Sequence, residues 1–255
     1  MNNLIISANS AFLSKNTLAF IKVLPTEQDN ILALYYDISQ EKHLMETALL
    51  IVEEYSFKEY LKEYISFVFA YQNSDLLERW LSSLNLCNSF ISMYAKEDNF
   101  WLTKALKGLA KMSFDLYLET PDCTQKKINS VKMGEFLQRA VKVQMSDRNP
   151  LPNSKRAGIY SMINFLMHFS IYSGSMGSIA GLVANIKRSG PLLSEFSLAD
   201  QVTFRYWMVQ INRAANNDTS VLNFRQILTA FQVSTQDSMM DYIDAECIVS
   251  NLIDQ

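Results

Sequence analysis

An all-α fold is predicted by three features of the sequence: the helical period of its apolar residues, its short connectors and its shortage of turn residues. The 255 residues include 7 Gly and 5 Pro, too few for the many tight turns of a β-rich fold. Hydrophobic residues make up 49% of the chain and charged residues 19%, which is enough apolar material for a packed core. We therefore expect a folded protein that is almost wholly helical.

Apolar residues recur at helical spacing along most of the chain. The clearest stripe has Lys and Glu on its opposite face and comprises Phe57, Tyr60, Leu61, Tyr64, Ile65 and Val68. Similar stripes occupy residues 102–116, 159–167 and 198–209. Each stripe predicts an amphipathic helix, and each such helix needs a neighbour to cover its apolar face.

The expected helices are short and closely spaced. Three starts are indicated by a Ser or Thr followed three residues later by an acid, at Thr26 to Asp29, Ser56 to Glu59 and Ser197 to Asp200, because both side chains can satisfy free N–H groups of a first turn. Brief Pro-, Gly- or Asn-containing connectors separate the stripes. Helix after helix with short turns predicts an α-solenoid of helix pairs, and this periodicity alone does not identify the family of solenoid.

Catalytic, metal and cofactor chemistry finds little support in the sequence. Only His43 and His168 are available, and both lie in helical stretches without a nearby acid or nucleophile pattern. Cys87, Cys123 and Cys247 are scattered, which favours neither a disulfide framework nor a zinc site. The glycines from Gly174 to Gly181 lack the Gly-Lys-Ser/Thr of a phosphate loop. We expect no catalytic residues, no metal and no cofactor, and therefore a protein that is not an enzyme.

The chain also shows no sign of membrane insertion or secretion. No apolar run approaches the roughly 18 residues that span a bilayer, and the first residues lack the basic start of a secretory signal. We expect a soluble intracellular protein that makes no contact with membranes.

Charge is strongly segregated along the chain. Residues 101–190 carry a net charge of +8, whereas residues 1–100 carry −6 and residues 191–255 carry −5. The candidate binding residues lie in or near Pro- and Gly-containing loops of the basic segment and are Arg148, Lys155, Arg156, Lys187 and Arg188. Such a segment can bind the phosphates of a nucleic acid or an acidic protein. The remaining alternative is that these residues are ordinary solvent-exposed charges on helix faces and bind nothing.

Several segments in the second half of the chain resemble one branch of the PCI family. Agreement in order and spacing extends from Trp101 to Phe231, and the segments that carry it are Ser146-Asp147-Arg148, 154–160 (Ser-Lys-Arg-Ala-Gly-Ile-Tyr), Asn164-Phe165-Leu166, 201–207 (Gln-Val-Thr-Phe-Arg-Tyr-Trp) and Ala230-Phe231. They are similar to the PCI proteins of the signalosome twelfth-subunit type and of the TREX-type messenger-RNA-export complex. The signalosome twelfth-subunit type is the nearer of the two.

The family resemblance also implies a division of the chain. Residues 1–232 would form the helical-repeat domain, a right-handed solenoid of tetratricopeptide (TPR)-like helix pairs, to which residues 1–100 are assigned by their helical periodicity alone. Residues 233–255 would be a fragment of the PCI winged-helix region, since residues 241–253 resemble a helix of that region. The family's longer preceding helical stretch and its following glycine and β-wing have no counterpart here. Either the protein is a divergent short member, or residues are missing between Phe231 and Met239. We favour the second and expect a winged helix that is largely missing.

The resemblance implies a non-catalytic scaffold subunit in a nuclear complex, with some presence in the cytoplasm. Its partners would be a GANP-like PCI scaffold, a small acidic Dss/Sem-type subunit, and RNA or another nucleic acid, with association to signalosome subunits. The work of the complex would be transcription elongation, messenger-RNA maturation and splicing. Two alternatives stay open: the dedicated messenger-RNA-export subunit, and a PCI subunit of the proteasome lid or translation-initiation machinery that binds protein only.

Overall fold

The computed structural model describes residues 2–39, 45–174 and 179–215, and in these ranges every regular element is a helix. The α-helices are α1 (Asn2–Leu13), α2 (Thr17–Val23), α3 (Gln28–Ile38), α4 (Met45–Ala48), α5 (Tyr55–Asn73), α6 (Leu76–Tyr94), α7 (Thr103–Glu119), α8 (Thr124–Ser146), α9 (Ile159–Ser173), α10 (Ile179–Ser189) and α11 (Leu198–Ala215). Short 3₁₀-helices cover Leu49–Ile51, Asn99–Leu102, Lys155–Gly158 and Leu193–Glu195.

Neighbouring helices pack in pairs, and the pairs stack on one another. Helix α5 lies against α6, α6 lies against α7 and α8, and α9 lies against α7, α8 and α11. At the start of the chain, α3 packs on α5 and α2 touches α7. The predicted all-α class with packed helix pairs is confirmed, and its arrangement is consistent with an α-solenoid.

Helix α9 is the most enclosed helix of the second half. Most of its side chains are buried, including the stripe residues Ile159, Ile163 and Leu166. Two polar contacts attach α11 to it: Ser161 Oγ donates to Asp200 Oδ1 (3.0 Å), and Asn164 Nδ2 donates to the Asp200 carbonyl (3.1 Å). The start of α11 is therefore held against α9 by hydrogen bonds as well as by apolar burial.

Aromatic rings fill the core of the first half. The rings of Phe12 and Phe57 stack with centroids 4.2 Å apart, and Trp101 meets Phe20 edge-on at 5.6 Å. Tyr60 continues the cluster and is fully enclosed, which raises the pKa of its hydroxyl. Such pairs add to the stability that area burial provides, so this cluster joins α1, α2, α5 and the 3₁₀-helix before α7.

The helix starts only partly follow the prediction. Asp200 N–H donates to Ser197 Oγ (3.2 Å) at the start of α11, as expected. By contrast, α3 begins after Glu27 and α5 begins after Glu54, so the starts predicted at Thr26 and Ser56 are wrong. At α5, Glu54 accepts from the Phe57 N–H and from Ser56 Oγ. Burial acts to raise the pKa of Glu54, but the hydrogen bonds from Lys96, Ser56 and Phe57 outweigh it and lower the pKa.

The predicted division of the chain concerns residues that the structure mostly does not describe. The segment 233–255, and the last part of the 1–232 unit from residue 216 onward, lie outside the described ranges. His43, Cys247 and the expected discontinuity between Phe231 and Met239 also lie outside them. These expectations stay predictions.

Candidate functional site

The loop that joins α8 to the 3₁₀-helix 155–158 is closed by one carboxylate. Asp147 accepts hydrogen bonds from the backbone N–H groups of Asn149 (3.0 Å) and Lys155 (2.6 Å) and from Ser154 Oγ (3.1 Å). Burial acts to raise the pKa of Asp147, but these donors and the nearby Lys155 charge outweigh it, so the pKa lies below its usual value. Asp147 therefore stays ionised and holds both ends of the loop together. We call the loop and the 3₁₀-helix, residues 147–158, the joint.

Lys155 fastens the joint to the end of α6. Its Nζ donates to the carbonyls of Ala95 (3.3 Å) and Lys96 (2.6 Å), and it lies 5.4 Å from the centre of the Tyr94 ring. Carbonyls at a helix C-terminus have no partner within the helix and carry the negative end of its dipole. Lys155 is only 7% exposed. Burial lowers its pKa, while the charges of Asp147 and Asp98 act in the opposite direction.

Lys126 caps the end of α7 in the same way as Lys155 caps α6. Its Nζ donates to the carbonyl of Thr120, the residue that follows α7, and lies 4.6 Å from the centre of the Tyr117 ring. The exposed carboxylate of Asp122 lies 3.3 Å away. In both places a buried lysine meets the last carbonyls of a helix and the ring of a tyrosine in that helix's final turn. Lys126 and Lys155, two cations of the basic segment, thus stabilise the packing of the helices.

Gly158 lies where the joint packs tightly against α7 and α8. A Cβ atom at this position would lie 2.5 Å from Thr103 Cγ2 and 2.6 Å from Gln144 Nε2. Both distances are far below van der Waals contact, so a side chain at this position would force Thr103, Gln144 or the joint to shift. Just beyond it, Tyr160 Oη donates to the Pro191 carbonyl (3.1 Å), which connects α9 to the chain after α10.

The five predicted binding residues fall into two groups that the structure does not unite. Arg148, Lys155 and Arg156 belong to the joint, whereas Lys187 and Arg188 are exposed near the end of α10. Arg148 is exposed, and Arg156 is half-buried. Lys155 differs from the expectation of an exposed recognition residue, because its ammonium is buried against the carbonyls at the end of α6. That position gives Lys155 a structural role.

Arg148 lines an open, polar groove of about 430 Å³ at the ends of α6 and α8. The same groove is also lined by Glu97, Asp98, Ser146, Asn149 and Lys155. Asp98 takes a left-handed backbone conformation with φ of 59°. The groove therefore offers both signs of charge, and Arg148 is its exposed cation.

Three further cations line up on the exposed face of α8, and they are not among the five predicted binding residues. Lys132, Arg139 and Lys142 are all exposed, and their spacing of seven and three residues puts them on one side of the helix. Arg139 Nη2 donates to Ser92 Oγ of α6 (3.2 Å). In the sequence, only their spacing indicates a shared helix face. That spacing becomes informative once α8 is known to extend from Thr124 to Ser146.

His168 is a packing residue between α9 and its neighbours. Its ring stacks on Trp207 of α11 with centroids 4.2 Å apart, and the ring of Phe114 of α7 lies 4.6 Å away. Burial lowers the pKa of His168 to about 4. The imidazole is therefore neutral at physiological pH and supports the contact between α7, α9 and α11.

We expect this histidine to make folding stability depend on pH. The pKa of an unfolded histidine is about 6.5, above the folded value of about 4, so the stabilisation is present above pH 6.5 and is lost as the pH falls toward 4. Allowing for the partial exposure of the ring, the free energy of unfolding should drop by about 1 kcal/mol between pH 7.5 and 5 from this group alone. Urea unfolding of the wild type and of His168→Gln at both pH values measures this drop in the free energy of unfolding. An equal drop in both proteins would contradict the assignment.

Other features of the described residues add no alternative site. In the described ranges, no three His, Cys, Asp or Glu side chains come together in a way that could hold a metal ion. Among the helices that the structure describes, none is both long and apolar enough to cross a bilayer.

No protein-family model, curated protein or solved structure matches this chain.

Proposed function

We propose that this protein is a non-catalytic scaffold subunit of the PCI type, which assembles with other proteins and with nucleic acid. The observation that carries the proposal is the joint between α8 and α9. Two of the segments that carry the resemblance to the PCI family, Ser146-Asp147-Arg148 and residues 154–160, supply residues of this joint.

Each of these residue types has a physical reason at its position. Asp147 closes the loop through three accepted hydrogen bonds, Lys155 caps the end of α6, and Gly158 permits contact with Thr103 and Gln144. Together they hold one helix pair at a defined position on the pair before it. A protein that presents surfaces to several partners needs such rigid stacking, whereas a solvated loop could accept almost any polar sequence.

Within this proposal, the partners are a GANP-like PCI scaffold and a small acidic Dss/Sem-type subunit, together with RNA. The complex acts in the nucleus in transcription elongation and in messenger-RNA maturation and splicing, and it associates with signalosome subunits. The charge pattern supports a role in binding, because a basic middle segment of net +8 favours acidic proteins and phosphates. The dedicated messenger-RNA-export subunit is the second candidate. It shares the same resemblance and differs in the proteins that would co-purify.

Affinity purification of the tagged full chain from its own cells tests the proposed function. We expect a second PCI-type scaffold and a small acidic protein to co-purify in comparable amounts. Gly158→Ala should lose these partners because it disturbs the joint, whereas Gly181→Ala, at an exposed position with open space around it, should retain them. Recovery of proteasome-lid or translation-initiation subunits would favour the protein-only alternative, and recovery of the chain without stable partners would contradict a scaffold.

A further inference from the structure

We propose that the exposed faces of α6 and α8 form a surface that binds the phosphate backbone of single-stranded RNA. This inference rests on the proposed function and names the site through which RNA would be bound. We call the surface the α6–α8 strip, and it consists of Asn85, Asn88 and Ser92 on α6, Lys132, Arg139 and Lys142 on α8, and Arg148 just beyond α8.

The strip is continuous because the two helices pack side by side. Helix α6 lies against α8, and Arg139 bridges them through its 3.2 Å hydrogen bond to Ser92 Oγ. At a rise of about 1.5 Å per residue, Lys132 and Lys142 are about 15 Å apart along α8. Arg148 extends the row into the polar groove at the helix ends. The cations are therefore spread along a line, as a nucleic-acid backbone requires.

The balance of charge on the strip is positive. Lys132, Arg139, Lys142 and Arg148 are exposed, and Glu135 is the single exposed acid on α8 among them. On the α6 side, the strip residues contribute neutral hydroxyl and amide groups, and the exposed acid Glu78 lies about two turns before them. Glu97 and Asp98 line the same groove as Arg148, so we place the end of the phosphate path there, where these carboxylates repel an anion.

The residue types on the strip favour RNA over an acidic protein. Protein interfaces place aromatic and other apolar side chains at their centre. In the described part of the chain, the exposed large apolar residues of α8 are Ile128 and Val131, which precede the strip, and α6 exposes none. Arg, Lys, Ser and Asn are the residues that usually contact phosphates. The strip has this composition without an apolar centre.

The same composition predicts binding without base preference. Sequence-tolerant stacking needs exposed aromatic rings, and none of the strip residues is aromatic. Recognition should therefore depend on phosphates alone, and affinity should fall steeply with salt as counterions are released. Lys187 and Arg188 on α10 are a separate pair, and the strip does not depend on them.

The test compares two triple variants of the full chain that remove the same charge. The strip variant is Lys132→Gln, Arg139→Gln and Lys142→Gln. The control variant is Lys22→Gln, Lys104→Gln and Lys107→Gln, at three exposed positions on α2 and α7. Binding of a labelled oligouridylate and a labelled oligoadenylate is measured by fluorescence anisotropy across a potassium chloride series. Circular dichroism and urea unfolding show whether each variant keeps the wild-type fold.

We expect the strip variant to lose about tenfold or more in affinity at low salt and its salt slope to become shallower by about 2, since each phosphate contact to a single strand contributes about 0.7. The control variant should keep the wild-type slope, and Lys132→Arg with Lys142→Arg should keep wild-type binding. Equal losses in strip and control variants would overturn the proposal, as would a wild-type chain that binds neither oligonucleotide.

A further outcome separates this inference from the proposed function. If the strip variant binds RNA normally but no longer co-purifies with partner proteins, the strip binds protein and the inference is wrong. If it keeps its partners in affinity purification while RNA binding is also unchanged, the RNA surface is refuted and the scaffold function stands.

Discussion

Replacing Gly158 with alanine is expected to lower the free energy of unfolding by about 3 kcal/mol, the upper range for overpacking a dense interior. The added methyl group would lie 2.5 Å from Thr103 Cγ2 and 2.6 Å from Gln144 Nε2. To relieve these contacts, the 3₁₀-helix 155–158 would have to move away from α7 and α8. Urea unfolding followed by circular dichroism at neutral pH measures the change.

A second glycine provides the matched control. Gly181 lies inside α10, and no atom comes within 4 Å of the position that an added methyl group would occupy. Because alanine is the better helix former, Gly181→Ala should stabilise the protein by about 0.5 to 1 kcal/mol. Adding Thr103→Ser to Gly158→Ala removes the nearer clash and should restore part of the loss. Similar effects of the two glycine substitutions would show that the joint tolerates a side chain.

Replacing Lys155 with methionine is expected to cost about 2 kcal/mol, because hydrogen bonds from a charged donor are among the stronger ones even where they are partly buried. Methionine keeps most of the apolar stem but leaves the carbonyls of Ala95 and Lys96 without their Nζ donor. Water would then have to replace the ammonium group at the end of α6. The unfolding midpoint in urea measures the loss.

Lys142→Met is the control for this substitution. It removes the same charge from an exposed position on α8, where the expected change is within about 0.5 kcal/mol. Lys142→Met should weaken RNA binding and Lys155→Met should not, because Lys142 belongs to the α6–α8 strip and Lys155 does not. A Lys155→Met protein as stable as Lys142→Met would contradict the capping role and return Lys155 to the set of binding candidates.

The helical fold could be read from the sequence because the relevant information is local. All six residues of the stripe from Phe57 to Val68 are buried in α5, since a period of 3.6 residues places them on one side whatever the neighbour is. The start of α11 at Ser197 was also predictable, because its cap is made three residues away. At α5 the Glu54 carboxylate, two residues before Ser56, accepts the Phe57 N–H instead, and α3 begins after Glu27, whose side chain makes no capping hydrogen bond.

The roles of the basic residues were decided only by the tertiary structure. Lys155 and Arg148 are equally suited to recognition by sequence, yet Lys155 meets carbonyls about 60 residues earlier in the chain, while Arg148 stays in solvent. Burial of a lysine depends on whether distant backbone acceptors reach its ammonium, and no local pattern contains that information. For the same reason the row of Lys132, Arg139 and Lys142 became a candidate surface only when α6 was seen to pack beside α8. Helix, period and net charge follow from local sequence alone, whereas the packing of the helices sets which charges hold the stack together and which face outward.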